Sequence, residues 1–525
     1  MLDYSDLPAE AAPLYSGASI VVAARGLENK TGRELSVARR EGVGLQRTPL
    51  LGKAWGCEYY VDTGSRGIRS TRGVEEGFLL KASVLERCYC DGRLEERILY
   101  PFSTGSPPYL VLTGSDRQRQ AAVYIAELAL ILALARRGEK CDGPPLVVKH
   151  GSLLQRIDVY FNPVFDMPPR IARTVLSYST LDKPTVVDVV DWATIYREGR
   201  EVASAGLLAA ALLGELKRAV KEGSTVIGLS EDTSVGRHLI VEVIASIIEA
   251  HQSGLALREM VEEGLSELDR AGCLECLSDV SGGYWVDPHN RRIRLSRDVE
   301  SYIEELAARV HGRGGGTTRD ARTATIKKIY ETQLLNYTGL SNDSAYLMVY
   351  MYLYGHSLGD GDYPVTPPHS KSELYKPLIE KSFRERIEAQ RTPVSLESVI
   401  DNASGVNYRY LFSEKPPSCL DLARKGRELG VDRRLLAEII RVRPPLRVEV
   451  FEGEKRGGEA LSHIATQATT TYYGVPPQLL VVDSRSRVSE WEVTALRGLV
   501  EEISRRVVPY STFIRDFQTR RLYVR

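Results

Sequence analysis

The stretch Tyr59–Ser70 reads YYVDTGSRGIRS. Two aromatics and a valine lead into Asp62, and Gly64, Ser65 and the arginines Arg66 and Arg69 follow. The apolar run predicts a buried strand, and the Gly-Ser pair predicts a turn directly after it. An acid left at the end of a buried strand is costly unless a hydrogen-bonded turn or a cation compensates it. Asp62 therefore reads either as a turn-capping residue or as a ligand for a hard divalent ion. Arg66, Arg69 and Arg72, just beyond the acid, are candidates to hold phosphates.

Working outward, GFLLKASVLERCYC and RLEERILYPF predict two more strands, joined to the first by turn-rich pieces such as CDGR. Together they predict a meander of antiparallel strands. A helix follows at about 117–137, then the strand PPLVVKHGSLL, a helix at 203–222 and the strand STVIGLSEDTS. Strands alternating with helices predict an α/β core, whose sites form at strand ends. Residues 237–272 and 298–338 read as helices, and 311–320 and 355–372 as long loops. Strand texture returns at PPLRVEVFEG and PPQLLVVDSR, before a helix at 489–506. This predicts an N-terminal helical or irregular segment (1–50), the first part of the core (51–245), a mostly helical accessory region (246–430) and the end of the core (431–525).

The chain has 525 residues, and its 69 Lys and Arg balance 69 Asp and Glu. That length predicts more than one core. Zero net charge means that any nucleic-acid partner must use a local patch. The N-terminus has no basic segment before an apolar run, so no signal peptide is expected. The apolar stretch AAVYIAELALILALARRG carries Glu127 and reads as a buried or one-sided helix rather than a membrane span. Seven cysteines at irregular spacing predict ordinary thiols in a reducing cytoplasm. Cys273 and Cys276 form a C-x-x-C without a second pair to complete a zinc site. Scarce Asn and Gln beside abundant Arg and Glu lean toward a heat-adapted source.

The order of these patches resembles the NurA nucleases, archaeal and bacterial enzymes that process DNA ends. YYVDTGSRGIRSTRG is similar to that family's opening motif, AELALIL to its acidic helix, and PLVVKHGSLL to its second Asp-Gly-Ser-Leu strand. VIGLSEDTS, PPLRVEVFE and YGVPPQLLVVDSR resemble its later segments. The resemblance implies a ribonuclease H-like mixed sheet with flanking helices, a homodimer, Mn²⁺ or Mg²⁺, and DNA repair work beside a HerA-like hexameric ATPase. It implies Asp62 and Glu127 as metal ligands, with His150 and Asp483 completing the site and His150 a third ligand.

The departures fall at functional positions. Thr63 is inserted after Asp62, and His150 stands where the family has aspartate. Glu231 stands near its usual lysine, Val475 replaces its tyrosine, and Asp483 falls where its histidine would be. A competent site with exchanged ligands and a decayed site that keeps only DNA or ATPase binding both remain open. The same core chemistry would also serve RNA.

Each residue has an ordinary reading as well. Glu127 could face a neighbouring arginine, His150 could be an exposed histidine, and Asp483 could sit in a turn before a helix cap. The tail ISRRVVPYSTFIRDFQTRRLYVR suits a subunit interface or single-stranded nucleic acid. There is no GxxxxGK[ST], so any motor activity must come from another protein.

Overall fold

The computed structural model describes residues 36–38, 55–69, 75–102, 109–137, 141, 143–231, 284–286, 292–294, 363–365, 369–413, 417–431, 435–436, 445–468 and 474–494. The expected helices at 237–272 and 298–338, the C-x-x-C, Arg72 and the basic tail lie outside the described residues.

Among the described residues, one mixed sheet of 11 strands organises the fold. Its centre is built from β2 (Cys57–Arg69), β3 (Glu75–Cys90), β4 (Arg93–Leu99), β6 (Pro145–His150) and β9 (Thr225–Ser230), in the order β4-β3-β2-β6-β9. β2, β3 and β4 form the expected antiparallel meander. Asp91 and Gly92 turn β3 into β4 with φ of 51° and 75°, as a tight hairpin with positive φ at both central residues requires. β6 then pairs parallel to β2, and β9 parallel to β6. A meander followed by two parallel strands joined through helices is the ribonuclease H-like arrangement, so the expected α/β fold is what the chain adopts.

The sheet continues antiparallel through β15 (Leu446–Phe451), β14 (Val406–Leu411) and β12 (Tyr363–Val365) to β1 (Ser36–Ala38). β5 (Leu110–Thr113) pairs with β3, and β13 (His369–Ser370) with β14. β12, β13 and β14 fall inside the expected accessory region 246–430 and belong to this same sheet. Two small hairpins stand apart: β7 (Thr194–Arg197) with β8 (Arg200–Ala203), and β10 (Tyr284–Val286) with β11 (Arg292–Arg294).

Helices cover both faces. On one face lie α1 (Asp116–Ala135), α2 (Ile157–Tyr160), α3 (Pro169–Tyr178), α4 (Lys183–Ala193) and α5 (Ala205–Lys221). Ser115 caps α1 and Gln118 closes the capping box, so the helix begins where the sequence changes from turn to apolar. α1 is long and apolar enough to cross a membrane by length and composition. Here it is packed inside the fold, with Ile125, Leu128 and Ile131 buried against Tyr59, Val61 and Val147 of the sheet. α6 (Lys371–Arg386), α7 (Leu396–Asn402) and α8 (Cys419–Leu429) follow in the chain. α9 (Gly457–Ala468) and α10 (Pro477–Ser486) supply the other face, where Ile464, Leu479 and Val482 pack on Tyr60, Val148 and Ile227.

Three local readings are corrected. DTGSRG is not a turn, because β2 stays paired with β3 from Cys57 to Arg69. Gly64 is there for room instead: a Cβ on it would stand 2.1 Å from the Ser486 carbonyl oxygen. PPQLLVVDSR is a helix, α10, started by a proline in its first turn. Buried Leu479, Val482 and Ser486 fall at helical spacing. The cysteines are not all free thiols: Cys57 is disulfide-bonded to Cys88, and Cys90 to Cys141. The first pair follows from register, since Cys57 and Cys88 are directly opposed across the ladder.

Candidate metal centre

Strand alternation sorts the candidate residues. Tyr59 and Val61 face α1, so Tyr60 and Asp62 face α10. On β6, Val147 faces α1 and Val148 faces α10, which sends Lys149 toward α1 and His150 toward α10. The parallel pairing of β2 with β6 ends at Val61 opposite Lys149. Asp62 is thus the first residue of β2 beyond its β6 neighbour. It lies at the carboxyl end of the parallel pair, although β2 itself continues along β3.

There Asp62, His150 and Asp483 come together. One donor atom from each lies within 4.8 Å of the others. His150 Nδ1 is 3.2 Å from Asp62 Oδ1, and its Nε2 is 3.5 Å from Glu231 Oε1. Ser486 donates its hydroxyl to the other Asp62 oxygen, and Arg487 pairs with Asp483. Ser83 stands opposite Asp62 across the β2–β3 ladder and donates to the Val482 carbonyl at 2.7 Å. That bond ties the last turn of α10, and Asp483 with it, to the sheet.

The local charges support one another. Burial works to raise the Asp62 pKa, but hydrogen bonding and charge from His150, with help from Ser486 and Lys149, hold it below the usual range. Burial alone would drive His150 down, yet its bonds to Asp62 and Glu231 raise it to about 10. Without a metal ion the imidazole is therefore a cation between two carboxylates at neutral pH.

Glu127 does not join this group. It sits on α1, across the sheet, and its Oε2 is 2.7 Å from Lys149 Nζ. Both side chains are almost wholly buried. Burial raises the Glu127 pKa against the opposing charge of Lys149, with Asp62 pushing it further up. Lys149 Nζ also donates to the His150 carbonyl at 3.0 Å. The pair thereby fixes the end of β6 from beneath, where Gly151 turns away with φ of 94°.

A second buried carboxylate fixes the segment that follows. Glu449 Oε2 accepts the Leu153 and Leu154 amides at 2.9 and 3.2 Å and the Ser152 hydroxyl at 3.0 Å. Lys371 and Arg447 balance its charge at 2.5 and 3.1 Å. Burial works to raise its pKa, but those two cations hold it below the ordinary range. The HGSLL turn is thus anchored on both sides.

Of the three arginines read as phosphate holders, Arg66 is exposed and reaches Glu490 at 3.4 Å. Arg69 closes β2, and Arg72 lies outside the described residues. Sequence reading missed Ser83, Ser486 and Lys149. A lone serine in the apolar run LLKASVLE and a lysine inside PLVVKH were the available signals, since buried polar residues require partners.

Two carboxylates and an imidazole within reach of one point fit a single divalent ion of the manganese class. Asp62, His150 and Asp483 would hold it, with His150 giving up its proton. Glu127, already neutralised by Lys149, is not placed to share it.

No family profile and no curated protein matches the chain. Among solved structures it is similar to the NurA nuclease from Sulfolobus solfataricus, with 12% identity, 87% of this chain and 86% of that one covered, and a TM-score of 0.34. It is also similar to a NurA bound to dAMP and manganese, with 11% identity, 84% and 87% covered, and a TM-score of 0.24. A NurA structure with manganese is 11% identical, with 92% and 96% covered and a TM-score of 0.26.

Proposed function

We propose that the chain is a metal-dependent nuclease of NurA-like type that cuts DNA during end processing. The observation that supports this most is the convergence of Asp62, His150 and Asp483 at the carboxyl end of the parallel strands. The ordered sequence patches add to it. A divalent ion at this point would supply Lewis acidity and an activated water for phosphodiester hydrolysis.

The chain's own residues do the rest. Ser486 and His150 each engage one Asp62 oxygen, so the carboxylate cannot rotate freely. Ser83 holds α10, and so keeps Asp483 in range. Arg487, paired with Asp483, and Arg66, four residues along β2 from Asp62 and paired with Glu490, are exposed and suit the phosphates that flank a scissile bond. A HerA-like ATPase would supply motion, since the sequence carries no P-loop. A homodimer working in the cytoplasm completes this reading.

A second reading is favoured by the counter-charges. Lys149 occupies Glu127 and Arg487 occupies Asp483, so two acids are already paired within the chain. In that case the chain is a DNA-binding or ATPase-adaptor protein without cleavage.

Labelled single- and double-stranded DNA incubated with Mn²⁺ separates the two. The nuclease reading expects cleavage that is lost in Asp62→Ala and on adding EDTA. Bound but uncut DNA with every preparation would establish the adaptor instead.

A further inference from the structure

Four cysteines gather at the far end of β2 from Asp62. Cys57 opens the strand, five residues before Asp62, a distance of about 17 Å along a strand. Cys88 is its direct cross-strand partner on β3. Cys90 is two residues further on β3 and so shares its face. Cys141 comes from the segment leading into β6. That segment presses on the start of β2: the Gly56 amide donates to the Pro144 carbonyl at 3.3 Å, and a Cβ on Gly143 would stand 2.6 Å from the Gly56 nitrogen. Cys57 and Cys88 are buried, and Cys90 and Cys141 are half-buried against the same core.

The two disulfides are not independent neighbours. The sulfurs of Cys57, Cys88 and Cys141 all lie within 4.8 Å of one another, and Cys90 is bonded to Cys141. All four sulfurs therefore occupy one place, supplied by three chain segments. Two cystines could staple these segments without such an approach. A tetrahedral zinc–thiolate centre, with Zn–S bonds of about 2.3 Å, requires sulfurs gathered in this way.

We propose that, with both disulfides reduced, Cys57, Cys88, Cys90 and Cys141 form a structural tetrathiolate zinc site. Two equivalents of a dithiol reductant deliver four electrons and four protons, converting two cystines into four thiols. Zinc binding then forms four Zn–S bonds and releases the four protons. Soft thiolates select zinc over the harder ions suited to Asp62 and Asp483. In either state the cluster fastens the β2–β3 hairpin to the entry of β6.

Cobalt is the probe. The full chain is reduced with a phosphine, desalted without oxygen and titrated with Co²⁺. The expected result is one equivalent bound with the intense visible absorption of a tetrahedral cobalt–thiolate, displaced by one equivalent of Zn²⁺. Cys57→Ser and the less buried Cys90→Ser should each abolish that spectrum, while Cys273→Ser/Cys276→Ser should leave it unchanged. A native chain without the spectrum overturns the site. So does a spectrum that survives Cys57→Ser and Cys90→Ser but disappears with Cys273→Ser/Cys276→Ser.

Discussion

Asp62 and His150 hold each other by charge as well as by hydrogen bonding, and this gives the site a pH signature. The His150 pKa is raised from 6.5 to about 10 in the fold. Its contribution to the stability of the ion-free protein is therefore complete below about pH 6.5 and fades as pH rises toward 10. Asp62 acts in the opposite sense: its lowered pKa contributes above the ordinary carboxylate range and is lost as pH falls below it. His150→Gln should cost about 2 kcal/mol near neutrality, less than the full shift because the ring remains partly exposed. The deficit should shrink steadily by pH 10 in thermal melts with EDTA present. A deficit that does not change with pH would show that the imidazole is not charged in the fold.

The Glu127–Lys149 pair makes a different prediction at the same scale. Glu127→Gln leaves a buried ammonium without its partner and should cost about 3–5 kcal/mol. Glu127→Met with Lys149→Met removes both charges and should recover most of that loss in denaturant melts. A double variant no more stable than the single one would mean that the pair is needed for more than neutralisation.

At the scale of elements, one close helix–strand crossing decides where the acids meet. α10 crosses β2 at Gly64, with no room for a side chain between them. Gly64→Val should push α10 off the sheet, separate Asp483 from Asp62, and cost about 1–3 kcal/mol. Urea melts and loss of Mn²⁺ binding together would check it, and an unchanged variant would contradict the close approach.

These details also mark how far the sequence could be read. The meander, α1, α5 and the parallel strand ending at His150 were legible because their apolar runs are bounded by turn residues and differ in length as strands and helices do. DTGSRG misled because glycine in a strand and glycine in a turn look alike until the crossing helix is seen. PPQLLVVDSR misled because a short apolar run carries no period that separates strand from helix. Asp62, Glu127, His150 and Asp483 were grouped from ordered patches, and the fold brings Asp62, His150 and Asp483 together. The exclusion of Glu127 required knowing which sheet face each residue takes, and one insertion such as Thr63 changes the residues downstream of it.

At the scale of the whole molecule, the strand order brings three distant segments to one point. Asp62 and His150 lie 88 residues apart and Asp483 comes from near the other end of the chain; they meet only because β2 and β6 are parallel neighbours under α10. The proposed metal chemistry requires that this meeting make one divalent-ion site from which Glu127 is excluded. Electron paramagnetic resonance of free Mn²⁺ during titration of the protein counts bound ions directly. One bound ion per chain is expected, lost in Asp62→Asn and Asp483→Asn and kept in Glu127→Gln, which leaves Lys149 bonded to the His150 carbonyl. No bound ion in the native chain, or an ion lost equally in Glu127→Gln, would contradict it.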